Sequence, residues 1–310
     1  MGWGTNWDSN SWASFKTTHN INKNSTSKQL FNQGTAKNDM LPYKCNRESR
    51  DSVAHPNSGS IILGLDTTGS MSHVLQICFL GLDKAITEIF KRINKFEPQI
   101  MVAAIDDYAS TKWAGVDKCP ALQWTQFEVD IKIAEQMHQL KETGHGSGNG
   151  YESYPLLWYA ASRHTEIDCY EKRGMKGVLI TMGDDGLQGV IHAEEIKAIF
   201  GDEDAKDISV KDLYREVSKK YEVYHLMLTE GSSHDRHVES CWRDVLGERA
   251  LLVSDIAKLP EIIISVIQAA TGQNINNIVN SWDGSTQLAV KKALEGLSTQ
   301  KEKSSGLIRF

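Results

Sequence analysis

From residue 58 onward, apolar runs alternate with stretches whose apolar residues recur at helical spacing, and this alternation predicts the architecture. SIILGLD predicts a strand over 60–66. A helix over about 72–93 follows, with Leu75, Cys78, Phe79, Leu82, Ile86, Ile89 and Ile93 on one face. QIMVAAID, after Pro98, predicts a second strand, and FEVDIKIAEQMHQL predicts a helix over 127–140. The glycine-rich loop GHGSGNG (144–150) then leads directly into a helix at YESYPLLWYAASRH. GVLITMGD (177–184) and EVYHLML (222–228) predict strands, separated by a helix over about 209–221 that carries Val210, Leu213, Val217 and Tyr221. RALLVSD (249–255) predicts a short strand, and residues 256–270 a helix that tolerates Pro260 in its first turn. Strands alternating with helices imply an α/β fold: a doubly wound, mostly parallel sheet flanked by helices.

The flanks read differently. Residues 1–57 are rich in Asn, Ser, Thr and Lys, carry Trp3, Trp7 and Trp12, and show no sustained period, so they predict an irregular N-terminal arm. Its tryptophans would pack on the main body or on a partner. The main domain spans 58–272, and 273–310 form a short helix and a polar tail, fraying beyond Ser298. No internal repeat is present.

Composition narrows the function classes. The 310 residues are 40% hydrophobic and 24% charged, an ordinary globular balance. A net charge of -6 argues against the broad basic footprint that nucleic acid requires, although Lys172, Arg173 and Lys176 make a local basic patch. Five cysteines without a CxxC pair suggest neither a disulfide framework nor a zinc knuckle, and a reducing cytoplasm fits them best. No signal peptide is expected, and no apolar run approaches the roughly 18 residues a membrane span needs.

Three polar signals fall where a doubly wound sheet keeps its ligands, at the carboxyl ends of strands: Asp66-x-Thr68-x-Ser70, the loop 144–153, and Gly183-Asp184-Asp185. Alternate residues of an extended turn point the same way, so Asp66, Thr68 and Ser70 can aim three oxygens at one point, while Gly69 permits the bend into the helix. Oxygen ligands suit a hard cation such as Mg²⁺, which usually takes one or two carboxylates and keeps exchangeable positions.

On these residues the chain resembles the von Willebrand factor A (vWA) domain family, whose metal-ion-dependent adhesion site reads D-x-S-x-S, then a Thr on a second loop, then an Asp after a later strand. The first element stands here as DTTGSM, with Thr68 keeping the hydroxyl of the family's first serine. GHGSGNGYESYPLLWYAASRHT occupies the place of the second, where the resemblance leaves Asn149 or Glu152 to supply the oxygen. ITMGDDG occupies the third and moves the acid to Asp184, with Thr181 or Asp185 behind it. One of Asp106 and Asp107, which end the neighbouring strand, would hold a metal-bound water or remain a solvated loop acid. SRDSVAHPNSGSIILGLDTTGSM, LQWTQFEVD, GSGNGYESY and EKRGMKGVLITMGDD are similar to a largely uncharacterised bacterial and phage vWA subgroup.

The resemblance covers about 58–272 and implies a vWA/Rossmann-like fold and a non-enzymatic site holding Mg²⁺ (or Mn²⁺ or Ca²⁺) that engages an Asp or Glu of a partner protein. It further implies a partner of the AAA+ ATPase or assembly-complex class, a cytoplasmic setting in a bacterium or phage-infected cell, and helix 256–270 as the element that would shift with the metal.

The alternative is a Mg²⁺-dependent phosphoryl-transfer enzyme similar to haloacid dehalogenases, with Asp66 as nucleophile. That chemistry needs a general acid two residues later, where Thr68 stands. Other motifs carry less. His234-Asp235-Arg236-His237 reads better as a solvated helix start than as a metal pair. GHGSGNG lacks the GK[ST] ending of a phosphate loop. The G-x-S-x-G match at Ser147 follows a helix rather than a strand.

Overall fold

The computed structural model describes residues 6–146, 148–229 and 236–297. Trp3, Ser147, His234, Asp235 and the tail beyond Ser298 therefore lie outside the described residues.

Six strands build the central sheet: β1 (Ser58–Asp66), β2 (Glu97–Ile105), β3 (Leu122–Trp124), β4 (Gly177–Gly183), β5 (Tyr221–Leu228) and β6 (Ala250–Val253). Their spatial order is β6-β5-β4-β1-β2-β3, parallel throughout except for β3, which pairs antiparallel with β2. Strand order reverses at β1, so the polar loops that follow β1 and β4 open side by side, as ligand sites in such sheets do. The registers bring Leu65 opposite Met182 and Asp66 opposite Ile105. Successive residues of each strand enter opposite cores: Ile61, Val102 and Ile180 on one face, Ile62, Met101 and Leu179 on the other.

The helices of six residues or more are α1 (Ser9–Thr18), α2 (Ser72–Leu80), α3 (Leu82–Arg92), α4 (Tyr108–Ala114), α5 (Lys132–Met137), α6 (Tyr154–Arg163), α7 (Ala193–Phe200), α8 (Val210–Val217), α9 (Arg236–Leu246), α10 (Leu259–Ala270), α11 (Ile275–Asn280) and α12 (Gly284–Ala293). Residues of α1, α2, α3, α5 and α10 line one core, and those of α6, α7, α8 and α9 the other.

Two helical expectations are corrected. The helix expected over 72–93 is divided at Gly81, where a Cβ would sit 2.9 Å from the Ile77 carbonyl and 3.1 Å from the Pro260 ring; the missing side chain lets α10 lie close. Of the helix expected over 127–140, only Lys132–Met137 is helical. Glu128 instead exchanges two backbone hydrogen bonds with Ile100, the pairing of an extended chain, and Phe127, Glu128 and Val129 are all buried. The short β3 is also absent from the sequence expectation, as is α7.

The arm contains the ten-residue α1, capped by the Asp8 carboxylate, which accepts from the backbone N–H groups of Asn10 and Ser11. Trp7 and Trp12 are buried, Trp12 stacks on Phe15 at 5.8 Å and meets Phe79 of α2, and Trp7 Nε1 donates to Asp83 of α3. Further along, Arg47–Ser49 pairs in parallel with Thr165–Ile167, and Arg50 binds Asp168 at 3.0 Å and Glu171 at 2.7 Å. The arm thus grips both sides of the domain. The basic patch is neutralised locally: Lys172 pairs with Asp168, Arg173 with Asp51 and Lys176 with Glu222. Among the described residues no helix is long and apolar enough to cross a membrane.

Candidate metal centre

Asp66 is the last residue of β1 and fully buried. The chain turns immediately after it, so Thr68 folds back on the carboxylate: its backbone N–H and its hydroxyl both donate to Asp66 Oδ1, at 2.9 and 2.7 Å. The other oxygen, Oδ2, accepts from the Tyr154 hydroxyl at 2.7 Å. Ser70, two residues further on and exposed, donates its hydroxyl to Asp184 Oδ1 at 3.1 Å, across 114 residues of sequence. Asp184 is also exposed, just past the end of β4. Asp66, Thr68, Ser70 and Asp184 therefore meet in one place, with a buried floor and an exposed lip.

The loop between α5 and α6 closes a third side. Gly144 N–H donates to the Thr67 carbonyl, Gly69 N–H to the His145 carbonyl, and the Thr143 hydroxyl to the Thr67 carbonyl, which zips the loop to the turn after β1. Glu152 is buried beside this seam, since a Cβ on Gly146 would lie 3.6 Å from Glu152 Oε1 and 3.7 Å from Thr68 Cβ. Asn149 faces elsewhere: its amide donates to Asp107 Oδ2 at 2.7 Å, and its Oδ1 accepts from Tyr151 N–H. Of the two residues left open as the second-loop oxygen donor, Glu152 is the one that lies across Gly146 from Thr68.

Behind these, Asp106 is fully buried and accepts from Asp107 N–H at 2.6 Å through Oδ1, while its Oδ2 has no hydrogen-bond partner among the described residues. Asp107 caps α4 by accepting from Ala109 N–H. Asp185 is half-buried, and its carbonyl accepts from Trp242 Nε1 at 3.0 Å. Thr181 does not reach the acids; its hydroxyl bonds His225 Nδ1 at 2.9 Å.

Crowding of carboxylates in a buried place sets the electrostatics. Burial, partly offset by the Thr68 and Tyr154 hydrogen bonds, pushes Asp66 up to about 7. Asp106 rises to about 6, again from burial, against the Thr143 hydroxyl and Asp107 N–H. Glu152 rises to about 10, through burial and then the charges of Asp66, Asp106, Asp107 and Asp185. Burial raises Asp185 as well. These acids are therefore held partly as neutral carboxyls, and a bound cation would favour their charged forms instead.

The donor set fits a hard divalent ion. It offers only oxygens, and Asp106 Oδ2 and Glu152 Oε2 are buried with no hydrogen-bond partner among the described residues. Among the described residues no three His, Cys, Asp or Glu side chains are gathered closely enough to hold an ion by themselves, so hydroxyls must complete any shell. The site departs from what phosphoryl transfer needs in one respect: Thr68 stands where the general acid would, and its hydroxyl donates to Asp66. Tyr154 was not among the residues anticipated from sequence. Its one outward signal is a hydroxyl opening the otherwise apolar helix YPLLWYAA.

No family model matches the chain, and no curated protein matches it. Solved structures similar to it include the pilus adhesin SpaC from Lactobacillus rhamnosus GG, at 10% identity over 75% of this chain and 33% of that one, with a TM-score of 0.44. Proximal thread matrix protein 1 from the mussel byssus matches at 14% identity over 69% of this chain and 46% of its own, TM-score 0.41. The same protein with a zinc-occupied MIDAS motif matches at 13% identity over 74% of this chain and 46% of its own, TM-score 0.38. The chain thus spans a third to just under half of those proteins. All three TM-scores lie below 0.5, and the functional reading stands on this chain's own side chains.

Proposed function

We propose that this chain is a non-enzymatic protein-binding module whose site holds a divalent cation and presents it to an acidic side chain of a partner. Thr68 and Ser70 would contribute hydroxyl oxygens and Asp66 and Asp184 carboxylates, with Glu152 or Asn149 moving in on binding to complete the protein's share, since among the described residues no three acids stand close enough to share an ion. Mg²⁺ suits the all-oxygen set, with Mn²⁺ or Ca²⁺ as alternatives. When bound, the ion supplies an electrophilic centre for an Asp or Glu from outside. The observation that carries the reading is the contact of Ser70 with Asp184 at an exposed lip above the buried Asp66–Thr68 pair, because it joins two strand-end loops around a point open to solvent. The vWA resemblance implies the partner class, an AAA+ ATPase or an assembly complex in a cytoplasm.

The test is thermal unfolding with and without ion. At about 100 times the dissociation constant, linkage adds about 2.7 kcal/mol. An unfolding entropy of roughly 2.1 cal/mol/K per residue, about 0.65 kcal/mol/K for this chain, converts that into a Tm rise of about 4 °C. Asp66→Ala should abolish the rise, and a Tm indifferent to excess Mg²⁺ and Mn²⁺ refutes the site. Capture of a partner should be lost in EDTA and in Ser70→Ala; identical capture by both proteins refutes the adhesive role.

A further inference from the structure

Outside the oxygen cluster, a group of buried aromatic residues touches the site at two separate points. Tyr154 opens α6, is fully buried, and donates to Asp66 Oδ2. Its ring lies edge-on to His225 of β5 (5.1 Å between centroids) and to Trp242 of α9 (5.3 Å). His225 and Trp242 stack face to face, 3.4 Å apart with 6° between planes. Trp242 then donates Nε1–H to the carbonyl of Asp185, the neighbour of Asp184. Asp66 from β1 and the turn after β4 are thus each tied by one hydrogen bond to the same packed block. Gly183 makes the first tie sterically possible, since a Cβ there would fall 1.9 Å from the Tyr154 hydroxyl oxygen and 2.8 Å from Asp66 Oδ2. Of the other polar atoms in the block, His225 Nδ1 bonds the Thr181 hydroxyl, while Nε2 is buried with no hydrogen-bond partner among the described residues; burial holds the His225 pKa well below the usual histidine value, so the ring is neutral.

We propose that Tyr154 and Trp242 are positioning residues that hold Asp66 and the 184–185 turn at a fixed separation for the cation, acting as one unit through the Tyr154–His225–Trp242 stack. This inference rests on the metal-site reading above. A carboxylate free to rotate presents its oxygens in the ion's direction only part of the time, whereas one whose second oxygen is tethered is preorganised, as with the outer partners that orient metal ligands elsewhere. Because Trp242 belongs to α9, that helix is mechanically connected to the site.

The experiment measures Mn²⁺ binding by the spin-resonance signal of the free ion, using the full chain, with metal-free Tm recorded for each variant. Tyr154→Phe keeps the ring and its packing but removes the tether, and should weaken Mn²⁺ about tenfold. Tyr159→Phe removes a comparable hydroxyl bond, to Asp202, away from the site, and should leave Mn²⁺ affinity unchanged. Trp242→Phe should also weaken binding, and the double variant should be no weaker than about threefold below the worse single one, since both substitutions loosen the same unit. Wild-type affinity in Tyr154→Phe overturns the proposal, as does equal weakening in Tyr159→Phe or a double variant whose effects simply multiply. Failure of the wild-type chain to bind Mn²⁺ would instead remove the metal-site reading itself.

Discussion

Glu152 provides the sharpest test of the crowded site, because it should make the metal-free protein less stable as pH rises. Its carboxyl is buried, has one oxygen without a hydrogen-bond partner among the described residues, and rises to about 10 from an ordinary 4.5, through burial first and the neighbouring acids second. The native chain therefore keeps this proton through pH 8.5, while the unfolded chain has released it. An acid with a raised native pKa contributes stability that is complete below its unfolded pKa and is lost as pH climbs toward the native one. One proton of difference costs about 1.4 kcal/mol per pH unit, or about 2.7 kcal/mol between pH 6.5 and 8.5. At about 0.65 kcal/mol/K that is a fall in Tm of about 4 °C. Asp66, at about 7, acts in the same direction within this window. His225 has the opposite sign, because its lowered pKa costs stability as pH falls below about 6.5, and that is why the window begins there. The assay is calorimetry in EDTA at pH 6.5, 7.5 and 8.5, on the wild-type chain and on Glu152→Gln. The amide has no proton to lose, so the variant should show a clearly shallower slope and exceed the wild type in Tm at pH 8.5. A wild-type Tm that is flat or rising across the window, or a variant that parallels it, refutes the crowding argument. Excess Mg²⁺ should flatten the wild-type slope, since the ion supplies the positive charge that the protons otherwise provide.

Two further outcomes concern packing. Gly183→Ala forces a methyl onto the Tyr154 hydroxyl and should cost about 1–3 kcal/mol, measured by urea unfolding; a neutral result would mean that Tyr154 does not sit against β4. Trp12→Ala empties a site enclosed by Trp7, Phe15 and Phe79 and should cost about 3–5 kcal/mol by the same measurement, whereas an effect below about 0.5 kcal/mol would mean that α1 is not part of the core.

Most of the sheet was legible because its strands are buried on both faces. SIILGLD, QIMVAAID and GVLITMGD are continuous apolar runs that end in acids, and the ends of those runs mark where polar chemistry must surface. Asp66, Thr68, Ser70 and Asp184 were singled out by that rule, and in the structure Thr68 bonds Asp66 and Ser70 bonds Asp184. What the pattern could not display depends on neighbours remote in sequence. Gly81 divides a helix only because Pro260 approaches it. FEVD carries both a helical and an extended reading, and the open edge of β2 decides for the extended one. Tyr154 lies 88 residues from Asp66, and a hydroxyl at the head of an apolar helix does not by itself say which remote acid it will meet. The arm lacked a period because α1 is held by a few large rings rather than by a continuous apolar stripe.

The grip of the arm on both sides of the domain imposes a schedule on biosynthesis. Phe15 packs against His138, and Arg50 pairs with Asp168, so neither anchor exists until well over a hundred further residues have left the ribosome. At roughly 5–20 residues per second that interval is about 6–24 s. Until Phe79 follows them out, Trp7, Trp12 and Phe15 have only one another to pack on, and the nascent chain carries apolar rings before it has a core to hide them.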